Sequence, residues 1–291
     1  MIILSSSSLP IPSLSSLSSS LSLPSVSSLS SPSLLRNILK SISSIIAVST
    51  TLVEVYTRIP QQLLFNSSPD PLNINTINNY DSITIIFPGA NGPDKNTDSL
   101  LYNIKNNVNS QRHYVVVYDW KKWRGNLLRA SYDSINVGKI IGNDIVNSCN
   151  SNIKHAHLIG ISVGAFAADT ASKIIKQKSK QDTYVKLTLL DPFCSLGLFN
   201  INYGKNNFGR EIDYAEQYLN TDDPVPFTNE PLPLCICYDI TNTKARNVFK
   251  PLPDDNMHSW PVYYYSKNYK KLKKKGNNHD ILQRGHIYKV P

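Results

Sequence analysis

Residues 157–175 read HLIGISVGAFAADTASKII, an apolar run, then Gly160-Ile161-Ser162-Val163-Gly164, then a stretch rich in small residues. The run predicts a strand, and Ala165 to Ile175 predicts a helix whose small face presses on a sheet. Between them the chain must turn sharply with Ser162 at the tip. Glycines two positions to either side leave room for the backbones to pass. The first amides of the helix point toward any negative charge forming beside the serine hydroxyl. This is the place where an acyl-transferring enzyme holds its nucleophile, and other residues decide whether the reading stands.

Outward from this turn, apolar segments alternate with longer amphipathic ones. Strands are expected at 83–87, 114–118, 185–190, 214–219 and 234–240. Helices are expected at about 98–108 and 132–146, and a last one opening near Ser259. Strands separated by helices of about ten or more residues imply a mostly parallel sheet covered on both faces, an α/β architecture with its site at the carboxyl ends of the strands. A chain of 291 residues with 41% hydrophobic content can close one such core.

Three strand ends carry chemistry. Serine is a weak nucleophile until a histidine takes its proton and a carboxylate orients the imidazole. Ser162 ends one strand; Asp191 ends the next, in Leu190-Asp191-Pro192; His258 follows the last strand and precedes a helix. The order Ser, Asp, His suits an α/β hydrolase. The acid is open to a second reading, because Asp222 and Asp223 sit after the following strand. His155 and His157 lie at the opposite end of their strand and read as structural, and His113 reads as exposed. His279 and His286 fall in a polar tail.

These residues resemble the pancreatic lipase family of α/β-hydrolase lipases. Phe87-Pro88-Gly89-Ala90 is similar to that family's oxyanion loop, and Tyr118-Asp119-Trp120-Lys121 to its Asp-Trp strand end. Ala130-Ser131 through Asn136-Val137-Gly138 is similar to its following helix, Leu190-Asp191-Pro192 to its Leu-Asp-Pro, and His258 through Tyr265 to its His-x-x-x-x-x-Tyr-Tyr helix start. The resemblance covers residues 83–265. It implies a lipase- or phospholipase A1-like ester hydrolase with Ser162, Asp191 and His258 as its triad. It also implies oxyanion donors at the amides of Ala90 and Val163, and no metal or organic cofactor. The chain departs from the family at Pro88, where the family has histidine, and in the short 240–258 segment that replaces a lid. An esterase or thioesterase of the same fold, or a lipase-like binding module without turnover, are the alternatives.

The rest of the chain sets context. Residues 1–33 are a Ser/Leu/Pro mixture, roughly half serine, too polar to order itself. Residues 34–79 form an apolar segment and a linker, 80–275 the hydrolase domain, and 276–291 a polar tail. Glu54 is the first acidic residue, so the leader resembles an organellar transit peptide, plastid or mitochondrial, while 38–53 also suits a signal or membrane-anchoring segment. The net charge of +9 gathers near the C-terminus, at Lys267, Lys270, Lys271 and Lys273 to Lys275. A solvated helix face explains it, with anionic lipid as a possible partner; no nucleic-acid motif accompanies it. Cys149, Cys194, Cys235 and Cys237 lack metal-ligand spacing and read as buried thiols.

Overall fold

The computed structural model describes residues 32–59, 68–72, 80–90, 92–148, 153–179, 182–251, 257–275 and 282–291. The serine-rich leader up to Ser31 and Cys149 lie outside these, as do His279 and residues 252–256 of the short segment before His258. The chain divides into two compact units at Thr51 and Leu52. A helix, α1 (Pro32–Arg58), begins in the first and ends in the second.

The second unit is an α/β body around one sheet, all-parallel and seven-stranded among the described residues: β1 (Ser82–Phe87), β2 (His113–Val117), β3 (His155–Ile161), β4 (Tyr184–Leu190), β5 (Tyr214–Leu219), β6 (Ile236–Asp239) and β7 (Ile287–Lys289). Their spatial order is 2-1-3-4-5-6-7. Four longer helices cover it: α2 (Lys95–Lys105), α3 (Leu127–Ser148), α4 (Ala165–Lys178) and α6 (Trp260–Lys275), with a short α5 (Tyr203–Asn207). Helices α3 and α4 pack together on one face, α2 and α6 on the other. Strand residues alternate between the two cores: Ile83, Ile85 and Phe87 face the α3/α4 side, and Ile86 faces the α2/α6 side. Burial on both faces explains the near-continuous apolar runs.

Strand order reverses at β1. The chain steps outward from β1 to β2, then back across β1 to β3, so the segments leaving β1 and β3 diverge to opposite faces and open a crevice at their carboxyl ends. Register aligns those ends: Phe87 lies opposite Gly160, and Ile161 opposite Leu190.

Several boundaries differ from the sequence expectation, for local reasons. Helix α2 opens at Lys95 rather than about 98 because the Asp94 carboxylate caps it, accepting from the Thr97 amide at 2.7 Å. Helix α3 opens at Leu127, five residues early, with Asn126 accepting from the Arg129 amide at 3.2 Å. Strand β6 starts at Ile236 because Cys235 is still in a turn, its amide bonded to the Leu232 carbonyl. The segment read as a polar tail contributes β7, paired in parallel with β6. His113 is half-buried rather than exposed and bonds the Thr84 hydroxyl at 2.7 Å.

Candidate active site

Ser162 caps β3 with a positive φ of 51°, the left-handed conformation that side chains adopt only under constraint. The constraints are visible at its glycines. A Cβ on Gly160 would lie 2.6 Å from the Ala165 Cα, and one on Gly164 only 2.3 Å from the Phe87 carbonyl oxygen. Neither position admits another residue without displacing backbone. Ser134 of α3 clamps the turn, donating its hydroxyl to the Val163 carbonyl at 3.1 Å and accepting from the Ala167 amide at 2.9 Å.

Asp191 closes β4 in the same left-handed region, φ 48°. Because Ile161 and Leu190 are register partners, the serine and this carboxylate leave neighbouring strands at one level. The Phe193 amide then donates to the Ser162 carbonyl at 3.1 Å, tying the two turns together. His258 stands in a 3-10 turn (Met257–Ser259) at the head of α6. Its Nδ1 lies 3.2 Å from Asp191 Oδ2 and 2.6 Å from Asp223 Oδ2. Asn220 braces the set: its amide donates to Asp191 Oδ1 at 3.3 Å, and its side chain donates to the Met257 carbonyl at 3.1 Å.

Both acids read from the sequence therefore reach the same imidazole. Asp223 makes the shorter bond and is itself fixed by the Thr228 hydroxyl and the Val225 amide. Asp222 does not join them; it is exposed and paired with Arg246 at 3.0 Å. Burial raises the Asp191 carboxyl to about 8, against the pull of His258. Burial would also raise Asp223, but its hydrogen bond and charge contact with His258, and the bonds from Thr228 and Val225, hold it below the ordinary carboxylate value. Burial opposes a charge on His258, and the two carboxylates outweigh it, so the imidazole is raised.

The three side chains offer ligand atoms within 4.8 Å of one another. The 2.6 Å contact between His258 and Asp223 is a hydrogen bond, shorter than the roughly 3.3 Å that separates two ligands of one tetrahedral zinc ion.

On the other side of Ser162 lies the loop after β1. A Cβ on Gly89 would sit 3.0 Å from the Ser162 Cβ and 3.7 Å from its Oγ, so this loop borders the hydroxyl. Arg124, almost wholly buried, donates through Nη1 to the carbonyls of Gly89 at 2.7 Å and Ala90 at 3.1 Å, and through Nη2 to Asp119 at 3.1 Å. Trp120 donates from its indole to the Pro88 carbonyl at 3.0 Å. In a planar trans peptide the N–H points opposite the C=O. With the Gly89 carbonyl turned to Arg124, the Ala90 amide points away from that guanidinium; with the Ser162 carbonyl bonded to Phe193, the Val163 amide points away from it.

Sequence reading did not find Arg124. It sits beside Lys121 and Lys122 in a run where a cation is ordinary, and only its burial separates it from them. Of the histidines set aside, half-buried His157 bonds Thr188 at 2.8 Å, and burial holds it well below the ordinary imidazole value. Trp260 and Tyr264 pack in the α2/α6 core with Tyr263 beside them, and Cys194, Cys235 and Cys237 are buried free thiols. No known protein-family model matches the chain, and no curated protein matches it.

Proposed function

We propose that this protein is a serine hydrolase of the α/β-hydrolase type that cleaves carboxylic esters of lipids, in the manner of a lipase or phospholipase A1. The observation that carries the reading is the strained Ser162 at a strand-to-helix turn, level with Asp191, which with Asp223 holds His258. In this mechanism the Ser162 Oγ attacks the ester carbonyl carbon while His258 takes its proton. The tetrahedral oxyanion rests on the amides of Ala90 and Val163. The alcohol leaves with the proton from His258, and water, deprotonated by the same imidazole, releases the acid and restores the serine. Asp223 and Asp191 hold the imidazole in the tautomer that presents Nε2 to the serine, with Asp223 the stronger partner. The lipid substrate class rests on the resemblance to the pancreatic lipase family.

A fluorophosphonate probe tests the reading. Covalent labelling of the wild type, absent in Ser162→Ala, with parallel loss of turnover on a panel of short-chain and lipid esters, is the expected result. A folded wild type that neither labels nor turns over any ester would leave a binding module of the same fold.

A further inference from the structure

Helix α1 carries a long exposed apolar stripe. Its polar stripe runs through Arg36, Lys40, Ser43, Ser44, Thr50, Thr51, Glu54 and Thr57. At the C-terminal end this stripe faces protein: Glu54 and Thr57 are buried, while Leu52, Val53, Val55 and Tyr56 are exposed. The opposite stripe is Leu35, Ile38, Leu39, Ile42, Ile45, Ile46, Leu52 and Val53, all exposed. A stripe of exposed aliphatic side chains this long needs an apolar cover.

Three observations point to lipid as that cover. The helix has 27 residues, its apolar stripe from Leu35 to Val53 runs about 28 Å, and its only charges before Glu54 are the cations Arg36 and Lys40, the sign that suits anionic head groups. Its exposed hydroxyls are satisfied within the helix: Ser44 donates to the Lys40 carbonyl at 2.9 Å, Thr50 to Ile46 at 2.9 Å and Thr51 to Ala47 at 2.7 Å, which lowers the cost of placing them against hydrocarbon. Finally, the last turn is latched to an apolar loop. Glu54 accepts from the Leu198 amide at 2.7 Å and the Tyr132 hydroxyl at 3.1 Å, and Arg129 donates to the Ile59 carbonyl at 2.8 Å. Beyond Leu198 that loop exposes Phe199 and Ile201.

We propose that α1 is a lasting membrane anchor, its apolar stripe lying in the interfacial layer of an anionic bilayer. The latch separates an anchor from a removable leader, because Glu54 supplies buried bonds to the folded body. The loop it grips follows the strand end that carries Asp191. The inference does not depend on Ser162 being a nucleophile.

The test is flotation of the full-length chain with vesicles of phosphatidylcholine alone or with about 30% phosphatidylserine. Wild type and Ser162→Ala are expected to float alike, more strongly with phosphatidylserine. The double variant Ile42→Asp/Ile46→Asp, at exposed positions, should lose floated protein by about tenfold or more with unchanged thermal unfolding. As a second measurement, an environment-sensitive dye on Ile45→Cys, within the stripe, should shift to the blue on adding vesicles. A wild type that stays with the soluble fraction, a double variant that floats as well as wild type, or a dye that does not respond would overturn the proposal. So would a vesicle-independent dimer abolished by the double variant, or mature protein from expressing cells that begins beyond Thr51.

Discussion

His258 is held by two carboxylates, and their unequal distances divide the labour. Asp223, at 2.6 Å and kept ionised by its other donors, orients the imidazole; Asp191, at 3.2 Å and pushed toward its neutral form by burial, adds a weaker brace. Asp223→Asn is therefore expected to lower kcat/KM on a soluble ester by about 10³–10⁴, and Asp191→Asn by about 10–100, read from initial rates of both variants. Equal losses would show that neither acid leads. The same contacts set the pH response. Proton acceptance needs neutral imidazole, and both acids favour the cation, so activity should rise with pH along a limb above the ordinary histidine range. Removing the Asp223 charge withdraws part of that support, so the limb should move to lower pH in Asp223→Asn, as a kcat/KM profile would reveal. Arg124 acts through the Gly89–Ala90 peptide and is a positioning residue. Arg124→Lys keeps a charge but loses the fork that spans two carbonyls, and should lower kcat by about tenfold or more with little change in KM; a shift confined to KM would refute the role.

At the level of elements, the elbow depends on how closely α3 and α4 cross behind it. A Cβ on Gly138 would lie 2.5 Å from the Ala167 carbonyl oxygen and 2.8 Å from the Thr170 Cβ, and one on Gly142 would lie 3.1 Å from the Ala171 Cα. The small residues of α4 were read as a sheet-facing surface; they also receive α3. Gly138→Leu should overpack this crossing and cost about 2–3 kcal/mol, roughly 5–10 °C in Tm at this size, measurable by calorimetry. Activity should fall with it, since Ser134, which clamps the Ser162 turn, lies one helical turn earlier on α3. Helix starts were less legible than strand cores, because a capping carboxylate such as Asp94 looks like any loop residue until its bond to Thr97 is seen.

Across the whole molecule, the C-terminal segment closes the sheet. Strand β7 covers the edge of β6, the His286 carbonyl accepts from Cys237, and Arg284 donates to the carbonyls of Gly209 and Ile212. Deleting residues 282–291 should expose the β6 edge, lower Tm by roughly 4–8 °C and raise light scattering on heating, while the β3–β5 strand ends keep their geometry. Scattering unchanged from wild type would mean the edge is protected by other means. A three-residue edge strand in a polar stretch carries no periodic signal, which is why the tail read as unstructured. The sequence by itself determined the alternation of strands and helices and the glycine-flanked turn at Ser162, because apolar period and backbone bulk act over a few residues. It also placed Asp191 at a strand end and His258 at the start of a helix. Only the tertiary structure decided that Asp223 shares the imidazole while Asp222 does not, that Arg124 holds the Gly89–Ala90 loop, and that the end of α1 buries Glu54 and Thr57. Each of those depends on distance between segments remote in the chain and on burial, and neither quantity exists until the sheet has assembled.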